Sequence, residues 1–225
     1  MSIRGAEVAL VAHTFPRQGL YVITRELSGA GQTVLDEVDA AIRGGAGVVQ
    51  YRVKHPVAPL AEAGALLALC RRAAIPLIIN DDIELAAAVG ADGVHLGRED
   101  DSIQAARRRL GKKACIGISC YDDVERAVWA EQEGADYVAF GRFFPSQTKP
   151  HAPCAQLSTL CLAKQRLLVP IVAIGGITVD NAAALLAAGA DWLAVIDGVF
   201  GGGDPERAAR AFRKLWPAEP PPERA

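Results

Sequence analysis

Three segments of the chain repeat one pattern: VGADGVHLG at 89–97, EGADYVAFG at 133–141 and AGADWLAVI at 188–196. Each joins the end of an apolar, helix-like stretch to a short run of Val, Leu, Ile or aromatic residues through Gly-Ala-Asp. A glycine placed after a helix takes left-handed backbone angles without a Cβ clash, so it closes the helix and the next strand starts directly afterwards. Gly44-Gly45-Ala46 fills the same slot earlier in the chain. One tripeptide reused in one slot marks a repeated βα unit.

The same rhythm extends in both directions. Strand candidates are Leu20–Thr24, Val48–Arg52, Leu77–Asn80, Gly93–Leu96, Cys115–Ser119, Tyr137–Gly141, Ile171–Gly176 and Trp192–Asp197. Most are nearly continuous apolar runs, as parallel strands buried on both faces require. Helix candidates lie between them at Thr33–Arg43, Pro59–Ala73, Ile83–Val89, Ser102–Leu110, Asp122–Glu133, Gln156–Arg166, Val179–Ala188 and Pro205–Leu215. Ser102, Asp122 and either Thr178 or Asp180 stand where helix caps belong. Eight such pairs at roughly 25 residues each match the economy of a minimal (β/α)8 barrel. A doubly wound open sheet needs fewer strands and a glycine-rich first turn. The first connection, Arg25–Gln32, has Gly29 and Gly31 but no third glycine in that register. The fold class expected is therefore α/β, a single (β/α)8 TIM barrel over residues 19–216, with an extension at 1–18 and a polar tail at 217–225.

Composition sets outer limits. A chain of 225 residues suits one domain, or at most two small ones, and 51% hydrophobic content with a mean hydropathy of +0.17 excludes a disordered chain. Twenty-four basic against 26 acidic residues give a net charge of −2, so nothing favours a nucleic-acid partner and an anionic ligand needs a local site. No stretch approaches the roughly 18 to 20 apolar residues of a membrane helix, and no basic-then-apolar leader opens the chain. Five cysteines without a C-x-x-C pair read as incidental thiols of a reducing compartment. The expectation is a cytoplasmic protein whose partners are small molecules, with neither nucleic acid nor membrane; a homo-oligomer is compatible with that reading.

In such a barrel the working residues sit at the C-terminal ends of the strands and in the loops that follow. Polar residues crowd there. Period-two alternation puts Gln50, Arg52 and Lys54 on one face of strand 2. Strand 3 ends in Asn80-Asp81-Asp82, strand 4 leads to Asp100, strand 5 ends at Ser119, and Ser146-Gln147-Thr148-Lys149 follows strand 6. Singly, each has a plain use: Asp81 or Asp100 can cap the next helix, and Arg52 or Lys54 can be a solvated loop charge. His95, inside strand 4, reads as a packed or hydrogen-bonded interior histidine rather than a base. Together, the cations Arg52, Lys54 and Lys149 with Gln50, Asn80 and Ser119 suit a di- or triphosphorylated substrate. Asp81 and Asp100, on adjacent strand ends, could share one Mg²⁺, whose remaining positions go to water and phosphate. Gly175-Gly176 after strand 7 and the glycine-rich Gly198–Asp204 after strand 8 offer either tight turns or backbone N–H groups for a phosphate monoester.

These residues resemble the thiamine phosphate synthase family. The matching segments are LYVIT (20–24), GGAGVVQYRVK (44–54), LIINDD (77–82), VGADGVHLGRED (89–100), IGIS (116–119), GADYVAFGRFFPSQTK (134–149), VAIGGIT (172–178) and GADWLAV (189–195). The resemblance implies a Mg²⁺-dependent transferase that joins 4-amino-2-methyl-5-hydroxymethylpyrimidine diphosphate to a thiazole phosphate, releasing pyrophosphate. It implies that Gln50, Arg52, Lys54, Asn80, Ser119 and Lys149 contact the pyrimidine diphosphate and that Asp81 and Asp100 hold the metal. Ser146, Gln147 and Thr148 would contact the thiazole phosphate, with Gly176 and the Ile196–Asp197 peptide completing its site. The thiazole nitrogen carries no proton, so the resemblance implies a dissociative alkyl transfer without a general base, with Arg52, Lys54, Ser119 and Lys149 as the catalytic set.

The chain departs from the family pattern in three places. Arg142 replaces a frequent proline and either adds positive charge to the mouth or faces solvent. Ser146-Gln147-Thr148-Lys149 replaces a common T-x-T-K. Asp197 stands where many relatives have serine; a carboxylate beside a phosphate repels it, which leaves the contact to backbone N–H groups. Three other readings compete, one of them a generic phosphate-sugar barrel isomerase, whose carboxylate base on a strand end the sequence does not distinguish. A thiazole tautomerase of the same fold needs an acid–base residue after strand 5, where this chain has Ser119-Cys120-Tyr121. A non-catalytic barrel binding thiamine precursors has no use for a metal pair. The segment Phe144–Ala155, long, polar and proline-bearing, is expected to act as a lid.

Overall fold

The structure is a computed structural model that describes residues 15–25, 33–53, 58–97, 102–145 and 154–217. Its strands are β1 (Gly19–Ile23), β2 (Ala46–Tyr51), β3 (Leu77–Asn80), β4 (Gly93–Leu96), β5 (Cys115–Tyr121), β6 (Tyr137–Phe140), β7 (Ile171–Ile174) and β8 (Trp192–Val195). They alternate with α1 (Val34–Arg43), α2 (Pro59–Arg72), α3 (Ile83–Val89), α4 (Ile103–Leu110), α5 (Val124–Gln132), α6 (Leu157–Arg166) and α7 (Val179–Ala187). After β8 come a short α8 (Asp197–Phe200) and α9 (Pro205–Arg213). All eight strands pair in parallel in sequence order, and β8 closes on β1. The expected barrel is present, with element ends within two residues of those read from the sequence. The turn α8 is an addition, folded from the end of the expected last strand and the start of the glycine-rich segment.

Period two sorts each strand. Leu20, Val22, Val49, Tyr51, Ile79, Val94, Ile118, Val138 and Leu193 face the helices in one large core. Tyr21, Ile23, Val48, Ile78, Cys115, Tyr137, Ala139, Val172, Trp192 and Ala194 face inward as a second cluster. The inner ring fits because glycines stand opposite its largest members. Gly19 and Gly47 face the Trp192 indole, where an added Cβ would lie 3.0 Å from ring carbons; at Gly117 it would lie 2.0 Å from Tyr137 Cζ. Phe15, from the stretch read as an extension, fills the floor and stacks on Tyr137 with ring centroids 4.0 Å apart. Trp192 Nε1 donates to the Pro16 carbonyl at 2.8 Å, which fixes the plug. Residues 1–14 and 218–225 lie outside the described residues.

The repeated Gly-Ala-Asp has a structural use beyond helix closure. Gly90, Gly134 and Gly189 have φ of 71°, 92° and 110°, as the helix ends demand. The aspartate then ties its strand to the previous one. Asp92, Asp136 and Asp191 accept the backbone N–H of Leu77, Ile116 and Ile171 on their carboxylates at 2.8, 2.7 and 2.9 Å. Their own N–H groups donate to the carbonyls of the same three residues at 3.0, 2.8 and 2.8 Å. These clamps satisfy the backbone at the N-terminal rim. Arg107 joins Asp136 at 2.8 Å and Lys164 joins Asp191 at 2.5 Å.

One expected cap, Asp122, and one alternative cap, Asp81, each give way to the next residue. Asp82, not Asp81, caps α3, and Asp123, not Asp122, caps α5. Asp122 instead accepts from Gln156 N and Thr159 Oγ1, at 3.1 and 2.6 Å, and so serves the start of α6. Ser102 and Thr178 hold the cap positions of α4 and α7, with Asp180 inside the helix. Replacing Asp136 by alanine removes a charge-assisted backbone bond and leaves the Ile116 N–H without that partner. The expected loss is about 1–3 kcal/mol in urea unfolding, with the circular dichroism spectrum of the folded protein unchanged.

Candidate active site

A cavity of about 400 Å³ opens at the C-terminal end of the barrel. Gln50, Arg52, Asn80, Ser119, Gly176, Ile196 and Asp197, all expected from the sequence, line it together. Lys54, Asp100, Ser146, Gln147, Thr148 and Lys149 lie outside the described residues, as does most of the segment read as a lid. The far end of that segment is tied back to the chain just before it, with Ala155 N–H donating to the Arg142 carbonyl at 2.7 Å.

Each lining residue is held by its strand end. Arg52 follows β2, and its main chain is gripped from β1: buried Thr24 Oγ1 accepts the Arg52 N–H at 2.8 Å and donates to the Arg52 carbonyl at 3.1 Å. Asn80 ends β3 and donates through Nδ2 to an Asp81 carboxylate oxygen at 2.6 Å. Asp81 is exposed at the strand end, in a left-handed backbone conformation with φ 63° that an aspartate adopts at a cost. Its N–H donates to the His95 carbonyl at 2.8 Å. It does not line the cavity; it stands beside it.

Ser119 sits where the β5–β6 register slips, between Ser119 and Tyr121, and this bulge carries β5 two residues past its expected end. Arg126 of α5 braces that point, donating from Nε to the Ser119 carbonyl at 2.9 Å and from Nη2 to the Gly97 carbonyl at 3.1 Å. Nothing in the sequence marked it.

Gly175 and Gly176 are required by close approach. Their φ values are 105° and 63°; an added Cβ would lie 2.2 Å from Arg142 Cβ at the first and 2.3 Å from the Pro145 carbonyl oxygen at the second. The chain after β6 runs against them, with Phe143 N–H to the Ile174 carbonyl at 3.1 Å and Phe144 N–H to the Gly175 carbonyl at 3.0 Å. Arg142 lines the cavity, and its Nη1 donates to the Phe144 carbonyl at 3.3 Å. Asp197 starts α8 and is exposed. Arg25, just after β1, is bound to nearly buried Glu37 at 2.7 Å; that bond chiefly, with a smaller contribution from Asp197, raises the stability of its charged form.

The floor of the cavity is polar although buried. Gln50 Nε2 donates to Tyr21 Oη at 2.9 Å, and Tyr21 Oη lies 3.0 Å from Tyr137 Oη. Tyr137 Oη is 3.1 Å from His95 Nδ1, and His95 Nε2 is 2.9 Å from Ser119 Oγ. His95 is thus a hydrogen-bonded interior histidine, as expected, but its neighbours make it part of the site. Tyr21 and Tyr137 were missed. The signal was available, because a tyrosine on the inner face of a strand needs a partner for its hydroxyl.

Fold and cavity place this molecule among the (β/α)8 barrels with a ligand site at the strand ends. The family model "Thiamine monophosphate synthase" matches residues 20–199, and the chain belongs to that family. A thiamine-phosphate synthase from Methylococcus capsulatus is 53% identical over 206 residues, spanning 91% of this chain and 92% of the relative. One from Thiobacillus denitrificans is 51% identical, spanning 92% and 98%. The solved thiamine phosphate pyrophosphorylase of Pyrococcus furiosus superposes with a TM-score of 0.79 at 35% identity, over 88% of this chain and 95% of that one. Membership makes this protein a transferase of thiamine biosynthesis.

Thr24→Val keeps shape and burial but removes both bonds to the Arg52 main chain. Turnover is expected to fall about 10- to 100-fold while the circular dichroism spectrum stays that of the parent.

Proposed function

We propose that this protein condenses the aminopyrimidine diphosphate with the thiazole phosphate to give thiamine phosphate and pyrophosphate. The observation that carries the reading is that seven residues chosen from the sequence line one cavity. The thiazole nitrogen attacks with its lone pair and has no proton to lose, so no base is required. The barrier lies in breaking the bond between the pyrimidine CH₂ and the diphosphate oxygen. Charge grows on the leaving oxygens, and Arg52, Lys54 and Lys149, with the Ser119 hydroxyl, stabilise it there. The electron-rich aminopyrimidine carries the complementary positive charge, so departure precedes attack. Positioning and fixed charge do the protein's share.

Magnesium belongs to this reading. Asp81, exposed at the end of β3 with one carboxylate oxygen steadied by Asn80, offers the hard oxygen donor this ion prefers, and Asp100 is the expected second ligand. When bound, the ion neutralises charge on the diphosphate. The thiazole phosphate is assigned to the Gly176 backbone and the Ile196–Asp197 peptide, which line the cavity, with Ser146, Gln147 and Thr148 as its further expected contacts.

The substrates are small molecules, and the net charge of −2 offers no polyanion surface. No helix among the described residues is long and apolar enough to cross a membrane. All five cysteines are free; burial pushes the thiols of Cys70, Cys115 and Cys120 up to about 12. That pattern fits the reducing cytoplasm.

The test is an assay with both substrates, with and without Mg²⁺, following thiamine phosphate and pyrophosphate together. Equal amounts of both, formed only with the metal, are expected; binding without product would overturn the reading. Lys149→Ala should lower turnover by about 10²-fold or more. Asp197→Ser should lower KM for the thiazole phosphate roughly three- to tenfold and leave KM for the pyrimidine diphosphate unchanged.

A further inference from the structure

The hydrogen bonds beneath the cavity form one path through five side chains: Gln50, Tyr21, Tyr137, His95 and Ser119. Tyr21 and Tyr137 are 1% and 0% exposed, so an idle hydroxyl proton on either would be left without water. Each hydroxyl has one proton to give. Gln50 presents its NH₂ to Tyr21, and an NH₂ group cannot accept. Tyr21 must then give its proton to Tyr137, and Tyr137 must give its own to His95 Nδ1. An imidazole that accepts at Nδ1 carries its proton on Nε2 and donates it to Ser119 Oγ. The Ser119 proton is thereby kept off His95 and left to give to the cavity that Ser119 lines.

We propose that Tyr137 is a positioning residue which, through this relay, fixes His95 as the Nε2–H tautomer and holds Ser119 as a hydrogen-bond donor to the ligand. The relay has a second consequence. With its NH₂ on Tyr21, Gln50 turns its carbonyl oxygen toward the cavity and accepts. A ligand that instead drew the NH₂ to itself would reverse every bond along the path, leaving Ser119 with only lone pairs to offer. The two ends of the site therefore select together: a donor at Gln50 and an acceptor at Ser119. An aminopyrimidine carrying a diphosphate has both, so this part of the inference rests on the proposed function. Burial holds both phenols well above their ordinary range, so each stays a neutral O–H.

The experiment is long-range ¹H–¹⁵N correlation NMR on histidine-labelled protein without substrates, His95 being assigned by loss of its signals in His95→Asn. The expected spectrum shows an unprotonated Nδ1 and a protonated Nε2. A protonated Nδ1, or a ring protonated on both nitrogens at neutral pH, would overturn the proposal. Tyr137→Phe keeps the ring and its stacking on Phe15. It should let both tautomers appear and lower kcat roughly tenfold, about the worth of one lost hydrogen bond, with both KM values within about threefold. An unchanged His95 spectrum in Tyr137→Phe would overturn the role given to Tyr137. A parent protein with the expected spectrum that forms no thiamine phosphate would support the relay and overturn the functional reading instead.

Discussion

The interior of an eight-stranded parallel barrel is only as wide as the side chains that fill it, and every inward residue is chosen by the two-residue period of its strand. Here that space is filled from the bottom by Phe15, Trp192 and Tyr137, three rings admitted because Gly19, Gly47 and Gly117 stand opposite them. The rings take up the lower half. What remains above is the cavity, and its floor is made of the polar ends of the same layer: the Tyr21 and Tyr137 hydroxyls, His95 and Gln50. A bulkier residue at Gly117 would displace Tyr137, and the floor would lose its central group. Packing and chemistry are the same layer seen from two sides.

The two rims divide the work. At the N-terminal rim the aspartates of the Gly-Ala-Asp repeat tie β4, β6 and β8 to β3, β5 and β7 through paired backbone bonds. At the C-terminal rim, Thr24, Arg126 and the Gly175-Gly176 contacts hold loop backbones in place. The first set supplies stability without touching the cavity. The second positions groups that line it, and there local cost is tolerated: Asp81 and Tyr121 have φ of 63° and 59°.

Asp197 stands on an ordered turn. Its carboxylate stands exposed at the start of α8, with the Arg25–Glu37 pair nearby. The short helix begins at that residue, so the segment after β8 is an ordered turn and not a loose glycine loop. Gly198 allows it, since an added Cβ would lie 2.3 Å from the Ile177 carbonyl oxygen.

The strands, the helices between them, and the residues Gln50, Arg52, Asn80 and Ser119 at the strand ends were legible from the chain alone. Periodicity and glycine punctuation are local signals, and alternation says which strand residues share a face. The aspartates of Gly-Ala-Asp were visible but their use was not, because their partners lie 15 to 20 residues away on another strand. Asp122 is the expected cap of α5, and Asp81, expected as a metal ligand, has a cap as its plain alternative; a cap one residue along is equally good locally, and only the folded backbone chooses. Tertiary structure decided how Gln50, Tyr21, Tyr137, His95 and Ser119 join into one path. They come from β2, β1, β6, β4 and β5 and meet only because closing the barrel brings its inner faces together across the axis, a distance no sequence pattern records.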